Sequence, residues 1–560
     1  MRMIFQPAGY LQPLIPSSAA GNPIDQRRFV FVTILLLILC QSWLILEKAI
    51  NWDEFLHFGQ IYELADGRLR SSIQTLDTRL FGWATRVSPD VITQIQAIRF
   101  VMLACAVLTA ACITALARRL VSFEIALVCG LVYLSAGFVF TNAFTYRNDP
   151  VAAAALMSAL CAFAFGKLSW MRAVIIGILI GFAGALTIKS IFYLPCFVAI
   201  AWLQWSGPDG RKFRNIALLC SIVAVALLSF ALIITLHRAG LPASEAPTNG
   251  LDRSLGNFLR VFEFEHIRYV FLEAIFAPVV TVGLVMLPFV ARRLPKQTRI
   301  LLIGLCGPLL CLLFYRNTFP YFFTFILPPA CVAIAPVMSK LIERYRLIPV
   351  VICALIGPMF LLINEPYGTL ERQIATINEV ERLFPEPTPY LSFSSYVPHY
   401  PRQFTSLMSG PGLRGYWKQR KGQIARDIQS GRIAFVIVTD DALETVFKNK
   451  ASTSRLPERD VAALKSNFLQ HSDKIYILGR TICPQANEQI VEIVRTGPYS
   501  LDGGDLAIDG RHVADGGNII LQAGSHKVRH QQGSCLRLWG LDQVPVLSEA
   551  FPSGPIGGGY

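Results

Sequence analysis

The stretch "NWDEFLHFGQ" (51–60) sets two adjacent carboxylates, Asp53 and Glu54, directly after an apolar run. A carboxylate held at a membrane surface can take the proton of an attacking hydroxyl, the work of a general base. Three isolated cations stand in comparable settings. Arg147 lies in "FTYRNDPVAAA" (144–154) with Asp149 two residues on, Lys189 in "GALTIKSIFYLP" (184–195), and Arg316 in "FYRNTFPYFFTFILPP" (314–329), ahead of Tyr321. Charges beside hydrocarbon are costly unless they face protein, water or a partner. Taken singly, each has an ordinary reading. Arg147 and Arg316 could snorkel to headgroups, Lys189 could be a turn residue, and Asp53 or Glu54 could end a loop or cap a short helix. Together, an acidic pair and three cations suit a polar site that holds an anion beside a base.

The elements that position these residues follow from hydropathy. The chain has 560 residues, 53% of them hydrophobic and 16% charged, with a mean hydropathy of +0.47, too apolar for a soluble protein of this length. The run 29–50 is long enough to cross a bilayer and lacks the short core and small-residue cleavage site of a signal peptide, so it is expected to be retained. Further spans are expected at 97–117, 122–142, 150–166, 173–188, 190–205, 214–236, 270–291, 300–316, 319–338 and 347–363, about eleven in all. The short pair 173–188 and 190–205 could instead form a hairpin.

Basic residues orient the spans. Arg27/Arg28, Arg118/Arg119, Lys167/Arg172, Arg211/Lys212/Arg214, Arg292/Arg293/Lys296/Arg299 and Lys340/Arg344/Arg346 all fall on one side, predicted to be cytoplasmic. The net charge of +14 is thus mainly a topology signal. Contact with anionic lipid is a secondary use, and nucleic-acid binding is disfavoured because no soluble segment interleaves basic and aromatic residues. The other side receives the loop 51–96, the loop 237–269 and the tail 364–560, with 1–28 left in the cytoplasm.

The tail is polar and rich in Gly and Pro. "RIAFVIVTD" (432–440) and "KIYILGRTI" (474–482) read as buried strands around a polar helix at 457–470, an α/β part over about 385–482. Short alternating strands with Gly and Asp turns make 483–560 a β-rich part. Of thirteen Cys, eleven lie in spans as small apolar residues. Outside the membrane a Cys483–Cys535 disulfide is permitted, with two buried thiols as the alternative.

One chemistry needs this arrangement. A sugar on a polyprenyl phosphate keeps its lipid in the bilayer and its phosphate at the surface. Transfer to a hydroxyl then needs a base and cations for the departing phosphate, but no separate acid. "NWDEF", "YRNDP", "TIKS" and "YRNTFPYFFTFILPP" resemble the GT-C membrane glycosyltransferases, most closely the protein O-mannosyltransferases and the lipid A aminoarabinose transferases. The likeness covers roughly 29–363. It implies Asp53 as base with Glu54 beside it, Arg147, Lys189 and Arg316 as contacts of the donor phosphate, and His57, Asp149 and Tyr321 in support. The late motif reads "FPYFF" without the His-Pro-Tyr-Tyr of many relatives, and the tail does not resemble the β-trefoil domain of eukaryotic mannosyltransferases.

The expectation is a polytopic α-helical membrane protein, GT-C-like, with a C-terminal soluble domain of α/β and β-rich parts. It would be an inverting transferase of the bacterial inner membrane with its tail in the periplasm. Its partners would be a polyprenyl-phosphate sugar, membrane lipids, and a glycan, lipid or protein acceptor. The sequence establishes no cofactor. Mg²⁺ or Mn²⁺ could sit at the phosphate, with Asp53 and His57 sharing a helix face. A transporter or flippase of a lipid-linked or anionic solute is the alternative, and a surface-binding scaffold working through its tail is a third.

Overall fold

The computed structural model describes residues 23–69, 71–165, 168–205, 212–242, 266–403, 410–419, 422–448, 455–485, 488–530, 533–547 and 551–558. Most of the expected loop 237–269, the N-terminal segment before residue 23, and the topology residues Lys167 and Arg211 lie outside the described residues. The chain divides into two compact units, one comprising 1–48 and 63–366 with Tyr560, the other 49–62 and 367–559.

The first unit is helical. Among the described residues, four helices are long and apolar enough to cross a membrane: α1 (Pro23–Glu47), α4 (Val91–Ala117), α10 (Lys212–Arg238) and the run 296–313. The last of these consists of α13 (Lys296–Cys306) and a 3-10 turn. The short helix α3 (Asp77–Phe81) precedes α4. The remaining expected spans are shorter or broken. The segment 122–142 divides into α5 (Phe123–Leu134) and α6 (Gly137–Asn142). α7 (Asn148–Ala164) and α8 (Trp170–Leu186) are followed by a 3-10 turn, Ile188–Tyr193, and α9 (Leu194–Trp205). α11 (Ile267–Phe276) and α12 (Pro278–Ala291) meet at 98°, α14 (Phe322–Ala333) and α15 (Ala335–Tyr345) at 67°, and α16 (Leu347–Ile363) closes the series.

Proline explains much of the departure from straight spans. Pro278 opens a helix where its missing N–H costs nothing. Pro328 and Pro329 sit inside α14, so the carbonyls four residues back lose their helical donors. Two buried tyrosines replace them: Tyr133 donates to the Thr324 carbonyl at 3.1 Å and Tyr193 to that of Phe325 at 2.7 Å. An unmet carbonyl in hydrocarbon would cost several kcal/mol, on the order of the penalty for any unsatisfied backbone group there. The end of α1 is closed in a similar way. Arg99, fully buried in α4, donates to the carbonyls of Ile45 and Lys48, which satisfies groups that a helix C-terminus leaves open.

The second unit combines α2 (Trp52–Ala65), whose first eleven residues belong to it, with the tail. After α17 (Thr369–Leu383) the chain forms β1 (Tyr390–Leu391), α18 (Gly410–Gln419), α19 (Gln423–Gln429), β2 (Phe435–Ile437), α20 (Asp441–Phe447), α21 (Glu458–Asn467), β3 (Phe468–Gln470) and β4 (Ile475–Ile482). β1 and β2 run parallel; β2, β3, β4, β11 (Leu536–Trp539), β6 (Gly497–Asp502) and β9 (Asn518–Leu521) continue the sheet antiparallel. β5 (Gln489–Ile493), β7 (Leu506–Ile508), β8 (Arg511–Val513) and β10 (Gly524–Arg529) make a second antiparallel sheet. The expected helix at 457–470 ends at Asn467, because Phe468–Gln470 pair with β4 as a strand. Leu536 lies opposite Ile482, so the next residues outward, Cys535 and Cys483, meet in a disulfide. With 52 residues between its ends, this link is worth about 4 kcal/mol by the chain-entropy estimate.

Candidate functional site

The carboxylates and the cations belong to different units, and each group is built by its own local chemistry.

In the second unit, Asn51 precedes α2 and caps it. Its Oδ1 accepts the backbone N–H groups of Asp53 and Glu54, both at 3.0 Å, and Glu54 Oε2 accepts the Asn51 N–H at 3.1 Å. This reciprocal capping box satisfies donors that an N-terminus leaves open. Neither expected carboxylate is therefore the cap: Glu54 closes the box, and Asp53 stands in the first turn. Both are buried. The segment is fixed from behind by Gln373 of α17, whose side-chain amide accepts the Ile50 N–H and donates to the Ile50 and Ile556 carbonyls. Asn51 also bridges to Gly558. Trp52 packs edge-on against Phe393, and Phe55 against Tyr396. Gly59 permits this approach, since a Cβ there would lie 2.1 Å from the Ser395 Cβ. The helix ends at Ala65, and Gly67 turns the chain away in the left-handed region at φ 65°. His57 is half-buried one turn after Asp53.

In the first unit the structure brings four of the expected residues together. Asp149, in the first turn of α7, accepts from both Lys189 Nζ and Arg147 Nε, the latter at 3.4 Å. The Arg147 guanidinium lies over the Tyr321 ring, 3.2 Å from its centroid, and Lys189 Nζ is 5.5–5.8 Å from the ring centres of Tyr321, Phe322 and Phe325. All four are buried. Lys189 sits on the 3-10 turn after α8, where the Thr187 side chain accepts its backbone N–H. Asp149 thus faces two cations at once. Asp149 offsets part of the burial cost and fixes both cations; the aromatic face orients the planar guanidinium. Arg316 is buried on the loop leading to α14, five residues before Tyr321. Asp149 is thus the counter-ion of both cations, a closer role than general support.

Several residues escaped the sequence reading. Asn51 carries the N-x-x-E signature of a capping box within the very stretch that opens the site. Asp77, fully buried, accepts from Tyr146, the residue before Arg147, at 3.0 Å. Arg79 donates to His237 Nδ1 at 3.1 Å and to the His237 and Ala239 carbonyls, while Thr75 meets the other ring nitrogen at 2.9 Å. Among the described residues, no group of three or more His, Cys, Asp or Glu is gathered as a metal site. Asp53 and His57 alone are too few, so any divalent ion would depend on ligands from the donor phosphate.

Apolar helices that break at prolines, a buried cationic cluster at their ends and a C-terminal α/β and β-rich unit make up a multi-pass membrane protein with a GT-C-like fold. Two crystal structures of ArnT from Cupriavidus metallidurans share this fold. The one bound to undecaprenyl phosphate matches with a TM-score of 0.54 and the apo form with 0.56, each at 13% identity over 80% of this chain. The matches cover 98% and 97% of those chains, respectively. At such identity the likeness establishes the fold. An Archaeoglobus fulgidus oligosaccharyltransferase in complex with Zn and sulfate matches at a TM-score of 0.45 and 10% identity, over 91% of this chain and 96% of its own, too loosely to carry weight. No protein-family profile matches the sequence, nor does the sequence of any curated protein.

Proposed function

We propose that this protein is an inverting glycosyltransferase that moves a sugar from a polyprenyl phosphate to an acceptor hydroxyl. The observation that carries the reading is the buried cluster of Arg147, Lys189, Asp149 and Tyr321, set in a fold shared with an ArnT bound to undecaprenyl phosphate. In the reaction the acceptor oxygen attacks the anomeric carbon and Asp53 takes its proton. The bond from the anomeric carbon to the phosphate oxygen breaks, and its electron pair leaves with the lipid phosphate. Direct displacement inverts the anomeric centre. Arg147 and Lys189, with Arg316, neutralise the charge that grows on the phosphate. Glu54 holds the helix turn that carries Asp53.

The charge balance is met by side chains, so transfer is expected to survive EDTA. Loss in EDTA restored by Mg²⁺ or Mn²⁺ would assign a cation to the phosphate. The reading takes the membrane to be a bacterial inner membrane, and the basic clusters support an orientation with residues after 364 in the periplasm. Alkaline phosphatase fused after residue 380 should be active; activity of a cytoplasmic reporter there alone would reverse the topology.

The central test is incubation of purified protein with a labelled polyprenyl-phosphate sugar and bacterial envelope extract. Release of polyprenyl phosphate with an inverted product is expected. Movement of intact donor across proteoliposomes without bond cleavage would sink the transferase reading in favour of a transporter.

A further inference from the structure

The first unit carries a second group of cations, at the far end of α7 from the Arg147 cluster. α7 has 17 residues and runs about 25 Å, so its ends lie nearly as far apart as the two faces of a hydrocarbon core of roughly 30 Å. Its first turn holds Asp149 and its last residue is Ala164. Arginines from the ends of three helices meet the chain there. Arg119, just past α4, donates to the Ala164 carbonyl at 3.4 Å and lies over the Phe165 ring, 4.3 Å from its centroid. Arg172, in the first turn of α8, donates to the Phe165 carbonyl. Arg214, in the first turn of α10, donates to the Leu168 carbonyl at 3.3 Å.

A guanidinium is a fork of five donors, and a bond to one backbone carbonyl engages only part of it. Carbonyls at a helix C-terminus supply only partial negative charge. Guanidiniums gathered on them repel one another, and an anion bound among them relieves that repulsion. The three side chains are within reach of such an anion, since Arg214 is exposed and Arg119 and Arg172 are partly exposed.

The neighbouring surface selects the anion. Trp170 and Met171, at the start of α8, are 61% and 72% exposed. Val174, Ile175 and Ile178 are exposed too, and with Met171 they have the spacing of one helix face. A water-soluble anion gains nothing from that stripe. A phospholipid gains along its length, with its phosphate on the arginines and an acyl chain laid over α8. Tryptophan is at home at this headgroup depth, and basic pockets between helix ends recognise anionic headgroups. We infer that the ends of α4, α8 and α10 form a site for an anionic phospholipid, in the leaflet opposite the one that the Arg147 cluster faces. The headgroup must be net negative, because the ammonium of a zwitterionic lipid would stand against the arginines. The length of α7 separates this lipid from the sugar donor.

Native mass spectrometry of the full-length protein in detergent tests this. The probes are phosphatidylglycerol, phosphatidylethanolamine and phosphatidylcholine with identical acyl chains, and glycerol phosphate as the comparison without chains. Phosphatidylglycerol should bind roughly tenfold more tightly than the two zwitterionic lipids and lose that advantage at high salt. Arg119→Gln with Arg214→Gln should weaken it by roughly 25-fold, at about fivefold for each basic side chain near a headgroup. Arg119→Lys with Arg214→Lys should keep most of the binding, as point charges without the fork. Arg293→Gln removes one charge from the exposed cluster after α12 and should change nothing. If the double Gln variant does not fold, Arg214→Gln alone replaces it, with a loss of about fivefold expected. Equal binding of phosphatidylglycerol and phosphatidylethanolamine, unchanged binding in the Gln variants, or an equal loss in Arg293→Gln would overturn the inference. So would displacement of the lipid by glycerol phosphate at equal concentration. No sugar is transferred in these measurements, so failure here leaves the proposed reaction standing, and failure of the transfer assay leaves this site standing.

Discussion

The two charged groups are held by opposite means. In the first unit, charge holds charge: Asp149 binds Arg147 and Lys189, and the aromatic face of Tyr321 backs the guanidinium. In the second unit the turn that carries Asp53 is closed through the backbone, since Asn51 and Glu54 satisfy the first turn of α2. A cluster of mutually paired charges cannot lose one member without disturbing the others. A helix turn can lose a side chain that it does not use for its own stability. Substitutions in the second unit should therefore separate chemistry from structure more cleanly than those in the first.

The largest effect tests that separation. Asp53→Asn preserves shape and leaves the capping box intact, so the protein should fold and bind donor while transfer falls by about 10²–10⁴-fold, the usual worth of a positioned base. Glu54→Gln should lose far less, because Gln can close the same box. Normal transfer by purified Asp53→Asn would end the base assignment.

Arg147→Ala should weaken use of the donor by roughly 10–100-fold, the worth of one hydrogen bond to a charged group. Arg147→Lys should recover part of this, as a point charge without the fork or the stack on Tyr321. The comparison adds a sharper demand. Asp149→Asn removes no phosphate contact, yet it takes away the carboxylate that both buried cations face, and it should destabilise the first unit by about 3–5 kcal/mol. If hydrogen exchange shows Asp149→Asn to be as stable as the parent, the cations are held by something other than their counter-ion.

The third prediction concerns pH. Asp440 caps α20 through Oδ1, accepting from Ala442 N at 2.8 Å and Leu443 N at 3.2 Å. Burial, which outweighs these two N–H bonds, pushes its carboxyl up to about 6, above the ordinary 3.8 of the unfolded chain. A carboxyl raised in this way binds its proton more tightly when folded. Its contribution to stability is therefore fully present below about pH 4 and is lost as pH rises through about 6. Asp440→Asn removes that loss while keeping the cap. The variant should gain about 2 kcal/mol over the parent at pH 7.5 and nothing at pH 4. Denaturant melts of the second unit's near-ultraviolet signal at both pH values measure it; an equal difference at the two would exclude the carboxyl as the cause.

How much of this the sequence disclosed depended on the range of the cause. The apolar segments and the charges Asp53, Arg147 and Lys189 stood out because hydropathy and misplaced charge are local signals, whereas Tyr321 came only with the family resemblance. The strands 432–440 and 474–482 were legible for the same reason. The bends were half-legible: Pro328 and Pro329 announce a break, but the tyrosines that make it tolerable lie 191 and 132 residues away from the carbonyls they satisfy. The grouping of 49–62 with the tail was not legible, since it rests on Gln373 reaching Ile50 across 323 residues and on the Asn51–Gly558 bridge. Asn51 was a different kind of miss. Its signal is fully local and stood beside the acidic pair, where attention to chemistry hid a structural motif.

The smallest expected effect concerns that residue. Asn51→Ala removes an acceptor that serves two backbone N–H groups, a change worth about 1 kcal/mol at an N-cap. The first turn of α2 should open more readily, with amide exchange at residues 52–55 faster by roughly fivefold, the factor that 1 kcal/mol implies. Asn51→Asp and Asn51→Ser keep the cap and should exchange as the parent does. Transfer should fall only modestly in Asn51→Ala, because Gln373, Trp52 and Phe55 still fix the segment and Asp53 is merely less well aimed. If instead Asn51→Ala costs as much transfer as Asp53→Asn while amide exchange stays slow, the contrast between the units fails. Asn51 would then act on the reacting groups directly, and the carboxylate would not be the part of this turn on which catalysis depends.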